Sequence, residues 1–437
     1  MTDLADADVV RVGVLGCGNV GGPLVRLIGQ RCDSILARTG LRLEVVRVAV
    51  RSLARERDVV LAEGVLTRDT AAVVDAGDVD VVIEVIGGIE PARELILTAL
   101  KAGKPVVTAN KELLANHGAE LFAAADAAGV DLLFEAAVAG GIPIMRPLRE
   151  SLAGEDISRV MGIVNGTTNF ILTRMSEEGS SYAEALTEAQ SLGYAERDPT
   201  ADVEGYDSGA KAAIIASIAF GARVVAGDVY HEGIADITAT DIAFADRLGY
   251  VIKLLAVAER TTGDDGPEIG VRVHPAMVPR SHPLAAVRDS FNAVFVEGAA
   301  VGNLMFYGRG AGGQPSASAV LGDLIDAAIN LRAGSHATVG VLGKARIRSI
   351  DETSSSYYIS LDVEDRPGVL RAIAEVVERH GVSIRSMEQA GLGDEARLIF
   401  ITHHAREADV QATLADLRDL DVIHQTGSVL RVVGDDD

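Results

Sequence analysis

Short apolar runs alternate with amphipathic stretches through the first third of the chain. Val9–Leu15 and Leu43–Val50 are almost continuously apolar, and so are Asp80–Ile86, Lys104–Thr108 and Val130–Phe134. Runs of this length and kind mark strands buried on both faces of a sheet. Between them the spacing changes to a helical one. Leu24, Val25, Leu27 and Ile28 share a face after Gly21, Pro91–Ala102 reads as a helix with proline at its start, and Ala109-Asn110-Lys111 caps another. Strands separated by helices predict an α/β architecture with a parallel, doubly wound sheet.

From Ser151 the alternation is lost. Ile157–Val164 reads as a strand, Asn165-Gly-Thr-Thr-Asn169 opens a helix, and helices are expected near Ala183–Leu192 and Val203–Phe220. Further strands are expected near Tyr250–Ala258, Glu268–Met277, Phe291–Glu297 and Asn303–Tyr307, giving an α+β second domain. A glycine-rich turn, Gly308-Arg-Gly310-Ala-Gly312, precedes a helix expected over Ser318–Leu331. The tail then reads strand Tyr357–Val363, helix to His380, strands Val382–Met387 and Ala396–Thr402, helix Ala408–Leu417 and strand Val422–Val433. That is a small βαββαβ unit. The expected division is residues 1–150, completed by about 308–332, then 151–307, a linker over 333–355, and 356–434.

The loops carry the candidate chemistry. Gly16-Cys-Gly18-Asn19-Val20-Gly21 stands between the first strand and the first helix. There the first glycine permits a tight turn, the second lets a pyrophosphate approach the backbone, and the third lets helix pack on strand. The helix N-terminus then faces phosphate charge. A plain tight turn is the alternative. The second strand ends in Val50-Arg51 rather than in an acid, which favours NADPH over NADH through a 2′-phosphate. Arg51 as a surface residue is the alternative there. Gly16–Gly21, Ile86–Gly88, Thr108–Lys111 and Glu135–Ile142 all follow strands, where ligands of such sheets gather. Lys111 could reach a phosphate, a ribose or the substrate, and the Gly308–Gly312 turn could complete the cofactor site.

A second concentration of charge lies in Leu192–Lys211. Glu196, Asp198, Asp202, Glu204 and Asp207 crowd twelve residues, and Lys211 follows at the edge of an apolar helix. Asp207 and Lys211 stand four apart and share a helical face. A lysine placed so could donate a proton to a substrate oxygen, or could be one half of an ordinary ion pair.

Composition narrows the classes. The chain has 437 residues, of which 48% are hydrophobic, and a formal net charge of −23. That charge disfavours nucleic acid and anionic membranes as partners. No apolar run is long enough for a membrane span. The two cysteines, Cys17 and Cys32, form no pairing pattern, and the acidic start lacks a secretory signal, so a cytoplasmic location is expected.

The chain resembles the homoserine dehydrogenases of the monofunctional, three-domain bacterial kind, over nearly its whole length. The resemblance rests on Gly16-x-Gly-x-x-Gly21, Val107–Lys111, Phe134–Pro143, Gly162–Asn169, Leu192–Glu196, Asp198–Asp207, Lys211 and Met305–Gly312. The tail is similar to an ACT domain, with Asp365-Arg-Pro-Gly-Val-Leu370 as its signature turn. Serine in Gln314-Pro-Ser316 departs from the threonine of many relatives but keeps the hydroxyl. The resemblance implies a Rossmann-type sheet, an α+β catalytic and dimerisation domain, and an ACT-like regulatory domain. It implies reversible NADPH-dependent reduction of L-aspartate 4-semialdehyde to L-homoserine, on the way to threonine, methionine and isoleucine. Lys211 is then the proton donor, and Glu196, Asp207 and Gly193 bind substrate, with Glu196 on the ammonium group. Gly16, Gly18, Asn19, Val20, Gly21, Arg51, Thr108, Lys111, Gly308, Gly310 and Gly312 bind the cofactor. Glu135, Val138, Gly140 and Ile142 hold a monovalent cation, sodium in most relatives, mostly through backbone carbonyls. The ACT-like domain implies an amino-acid effector such as threonine, and a homodimer or homotetramer. Rival readings are another NADPH-linked amino-acid oxidoreductase, which would lack the Glu196–Lys211 constellation, and a non-catalytic sensor, which would lack Lys211, Asp207 or Glu196.

Overall fold

Six strands pair in the order β3-β2-β1-β4-β5-β6, every neighbour parallel, in the computed structural model, which describes residues 8–263, 266–391 and 395–434. They are β1 (Asp8–Leu15), β2 (Leu41–Ala49), β3 (Leu66–Thr67), β4 (Val81–Glu84), β5 (Val106–Thr108) and β6 (Leu132–Leu133), interleaved with α1 (Gly21–Thr39), α2 (Ala71–Val74), α3 (Ala92–Lys101) and α4 (Lys111–Ala128). Val12, Val14, Val81, Val82, Ile83, Val106 and Val107 are fully buried, so the apolar runs do mark strands covered on both faces. The strand order reverses between β1 and β4, and it is beside such a reversal that a crevice opens at the strand ends. The expected strand Val130–Phe134 contracts to Leu132–Leu133, while β3 and α2 have patterns too short to stand out in the sequence.

Further along come β7 (Ile157–Ile163), α5 (Gly166–Glu178), α6 (Tyr182–Ser191), α7 (Thr200–Val203), α8 (Tyr206–Phe220), β8 (Tyr230–His231) and α9 (Ala239–Arg247). They are followed by β9 (Tyr250–Gly263), β10 (Gly266–Pro279), β11 (Phe291–Gly298), β12 (Gly302–Arg309), α10 (Gly313–Ala333) and β13 (Arg346–Ile347). Two expectations need correction. The single helix expected over Val203–Phe220 is two, because Gly205 takes φ +85° between α7 and α8. A Cβ on Gly205 would also meet the Glu232 carbonyl oxygen and Val273 at 3.2 Å. The helix expected from Ser318 starts five residues earlier, at Gly313. Pro315 lies in its first turn, where a missing N–H costs nothing.

The chain forms two compact units, one of Met1–Val160, Ala210–Val229 and Asn292–Ala345, the other of Met161–Gly209, Tyr230–Phe291 and Arg346–Asp437. In the first, α10 returns to the parallel sheet. Its Ala317, Val320, Leu324, Ala327 and Ala328 share one core with Val10, Val12 and Val14 of β1 and Leu24 and Ile28 of α1. Each fully buried aliphatic side chain contributes about 1.5–3 kcal/mol.

In the second unit β9 and β10 form a long antiparallel pair, and β10 pairs in parallel with the last strand of the tail. The tail folds as the βαββαβ expected: β14 (Ser354–Glu364), α11 (Val369–Arg379), β15 (Ile384–Gly391), β16 (Glu395–Thr402), β17 (Ala405–Arg406), α12 (Glu407–Arg418) and β18 (Ile423–Val432). Its strands run β18-β14-β16-β15, antiparallel, and Ile373 and Val377 of α11 join Val410 and Leu414 of α12 over Leu361, Leu398 and Phe400.

Candidate active site

The turn after β1 is shaped by contact. A Cβ on Gly16, at φ +102°, would lie 2.8 Å from the Val85 carbonyl oxygen, and one on Gly21 would lie 2.2 Å from the Gly16 carbonyl oxygen. Gly18 differs: nothing in the protein lies within 4 Å of its added Cβ. No side chain caps α1, whose N-cap is Val20, so the positive end of the helix dipole meets the turn, where the Gly22 amide donates to the Gly18 carbonyl at 3.0 Å. A phosphate fits this turn on those two grounds. A Cβ on Gly313 would lie 2.3 Å from the Asn19 carbonyl oxygen, so the start of α10 packs directly on the turn.

Two more strand ends, those of β4 and β5, are joined by one buried carboxylate. Glu84, fully buried at the end of β4, accepts the amides of Ile86 at 2.8 Å and Gly87 at 3.0 Å and the Thr108 hydroxyl at 2.6 Å. Thr108 is thus committed to fixing the neighbouring loop. Asn110 caps α4 through Leu113 and donates to the Gly88 carbonyl at 2.6 Å, which sets Lys111 in the first turn of the helix.

The loop after β6 turns on two consecutive left-handed residues, Ala139 at φ 54° and Gly140 at φ 52°. A Cβ on Gly140 would meet the Gly310 carbonyl oxygen at 2.3 Å, and the Gly141 amide donates to Arg309. A Cβ on Gly308 would touch Ile142 at 3.3 Å, and one on Gly310 would overlap the buried Asn292 carboxamide. The Glu135 carboxylate accepts the amides of Ile144, Met145 and Arg146, leaving the loop's carbonyls as its oxygen donors. Oxygen donors on a tight turn fit a hard cation, and no cluster of acidic, histidine or cysteine ligands offers an alternative among the described residues.

These loops enclose a cavity of about 290 Å³ lined by Gly87, Lys111, Gly140, Lys211, Gly310 and Ser316, among others. Thus Lys111, Lys211, Gly140 and Gly310, chosen from separate stretches, come together in the first unit. Lys211 is 8% exposed and lies within the buried stretch of α8. A larger cavity of about 380 Å³ lies away from this chemistry, beside His117 and Arg223. Arg51 lies exposed just past β2. In the second unit Gly193 ends α6 at φ +77° and Glu196 is exposed, while Asp207 is 8% exposed and accepts from Asn165 at 2.9 Å. Sequence reasoning passed over Glu84, Asn165 and Asn292. A carboxylate inside the apolar run Val81–Ile86 was the available sign for Glu84.

A parallel sheet with an uncapped glycine turn, a lysine-lined cavity at its strand ends and a βαββαβ tail define a nucleotide-binding α/β protein with a small appended module. Family models agree along the chain: "Homoserine dehydrogenase, NAD binding domain" matches residues 16–135, "Homoserine dehydrogenase" matches 143–325, and "ACT domain" matches 357–422. The homoserine dehydrogenase of Corynebacterium glutamicum is 52% identical over 428 residues, 98% of this chain and 96% of that protein. The crystal structure of a homoserine dehydrogenase from Thiobacillus denitrificans is 41% identical, with a TM-score of 0.91 and 98% of each chain covered. A hyperthermophilic archaeal homoserine dehydrogenase mutant in complex with NADPH is 28% identical, with a TM-score of 0.62, covering 74% of this chain and 98% of that one. The chain belongs to the homoserine dehydrogenase family, and it is an NAD(P)-dependent oxidoreductase.

Proposed function

We propose that the chain reduces L-aspartate 4-semialdehyde reversibly to L-homoserine with NADPH, and that Lys211 is the acid. The observation that carries this is the placement of Lys211 and Lys111 in one cavity with the glycine loops after β4, β6 and β12. When bound at the Gly16–Gly21 turn, the nicotinamide cofactor supplies the hydride. As negative charge develops on the aldehyde oxygen, the Lys211 ammonium stabilises it and then gives it a proton. Lys111 contacts cofactor or substrate from the first turn of α4. Asp207, one helical turn before Lys211, binds the substrate together with Glu196, which takes its ammonium group, and Gly193. Arg51 pairs with the 2′-phosphate, and the NADPH of the archaeal relative agrees with that preference.

Glu135, Val138, Gly140 and Ile142 would hold a monovalent cation such as sodium, mostly through backbone carbonyls. The ACT-type module takes an amino-acid effector, threonine first among candidates, in a homodimer or homotetramer. Among the described residues no helix is long and apolar enough to cross a membrane.

The test is absorbance loss of NADPH with L-aspartate 4-semialdehyde, wild type beside Lys211→Ala. Turnover by the wild type and a fall of several orders of magnitude in the variant are expected. Full activity in a folded Lys211→Ala protein moves the acid elsewhere, with Lys111 next in line.

A further inference from the structure

We propose that Asn165 is a positioning residue of the substrate site, one carboxamide nitrogen holding Asp202 and Asp207 side by side. Nδ2 of Asn165 donates to Oδ1 of Asp202 at 2.7 Å and to Oδ2 of Asp207 at 2.9 Å. An amide nitrogen has two hydrogens, and the two carboxylates take one each. The orientation of the carboxamide is fixed from its other end. Oδ1 accepts the Thr168 amide at 2.9 Å and the Thr168 hydroxyl at 3.1 Å, capping α5. Turned over, the group would aim its oxygen at two acids and its nitrogen at a backbone donor. Asn165 is 4% exposed, so water does not compete freely for these bonds.

The bridge spans the break in the acidic segment. Asp202 lies in α7 and Asp207 in α8, and the left-handed Gly205 separates them. The common donor holds two like charges close together across that glycine. A lysine or arginine in the place of Asn165 would also hold them, but it would neutralise the pair. A neutral donor orders the two acids without itself cancelling their charge. The ligand chemistry this suits is a small molecule bearing an ammonium group, as an amino-acid substrate does. The inference rests on Asp207 belonging to the substrate site, as proposed above.

The decisive variant is Asn165→Asp. Aspartate caps a helix as well as asparagine does, so the bond to the Thr168 amide survives while both donated hydrogens are lost. A hydrogen bond to a charged group is worth about 10- to 100-fold. Oxidation of L-homoserine by NADP+ is followed in the full-length protein. The expected result is a fall in kcat/KM for homoserine of at least about 10-fold, with the KM for NADP+ within about twofold of wild type. A purely structural role would lower the melting temperature and disturb both substrates together. Asn165→Ser, which keeps a cap and one donor, should lose less, and it decides the matter alone if the aspartate variant does not fold. Asp207→Asn is run in parallel. If it lowers kcat/KM for homoserine and the folded Asn165 variants do not, the role of Asn165 is overturned and the site stands. If Asp207→Asn leaves homoserine turnover unchanged, the site reading falls and this inference falls with it.

Discussion

Asp323 accepts the backbone N–H of Glu135 at 2.7 Å, joining residues 188 positions apart. Asp323 lies in α10 and is 3% exposed; Glu135 opens the loop whose carbonyls would receive the cation. Burial, above all, pushes the Asp323 carboxyl up to about 7. Arg146, at 3.4 Å, lowers it by less than burial raises it, so the sign is the reverse of an acid governed by its ion pair. Between about pH 4 and pH 7 the folded protein keeps a proton that the unfolded chain has released. Stability contributed by that proton is present at low pH and is lost as pH rises to 7. Asp323→Asn keeps an oxygen for the Glu135 amide and removes the ionisation. Melting temperature should fall less steeply between pH 5 and pH 8 in the variant, which should equal or exceed wild type at pH 8. Parallel curves for the two proteins would refute the assignment.

Arg431 is the counter-charge of a buried acid. Its guanidinium reaches Glu407 at 2.9 and 2.7 Å and Glu232 at 2.9 Å, and Glu407, 2% exposed, also accepts the Tyr357 hydroxyl. Arg431→Met strands the Glu407 charge and should cost about 3–5 kcal/mol in urea unfolding. Adding Glu407→Gln should recover part of the loss. If the double variant is as unstable as the two single effects combined, the pair carries no coupling.

Gly310 has no room for a side chain: an added Cβ would sit 1.9 Å from Nδ2 of Asn292. Gly310→Ala should destabilise by about 1–3 kcal/mol and raise the KM for the cofactor. Asn292→Ala in the same chain should restore much of both, because the clash is with that one side chain. Failure of the second substitution to rescue would place the strain in the backbone against Gly140 instead.

Arg51 decides cofactor choice in the proposed reading. Arg51→Ala should lower kcat/KM with NADPH by about 10-fold or more, the value of a charge-assisted contact to phosphate, and leave NADH turnover nearly unchanged. Equal losses with both cofactors would remove Arg51 from the recognition of the 2′-phosphate.

What could be read in the sequence was whatever is contiguous. The Gly16–Gly21 turn, the Asn110 cap and the βαββαβ tail each need only neighbours along the chain, and each folds where its pattern lies. Lys211 and Lys111 could be selected one by one, but their shared cavity depends on packing that no local spacing encodes. The bridge from Asn165 spans 37 and 42 residues, and to the eye Asn165 is only a helix cap. The break at Gly205 was hidden for another reason: its left-handed backbone and the close approach of Glu232 and Val273 come from packing, which local spacing does not encode.

The return of α10 to the parallel sheet also bears on how the chain is made. Val10, Val12, Val14 and Leu24 leave the ribosome early, while Ala317, Val320 and Leu324, which cover them, come roughly 180 residues after the last strand of that sheet. At about 5–20 residues per second, that interval is about 10–40 seconds. For that time the nascent sheet carries an open apolar face that no later polish of the finished protein can shield. The parallel sheet, whose strands are all made by residue 133, is therefore, on the translating ribosome, among the last parts of its unit to be covered.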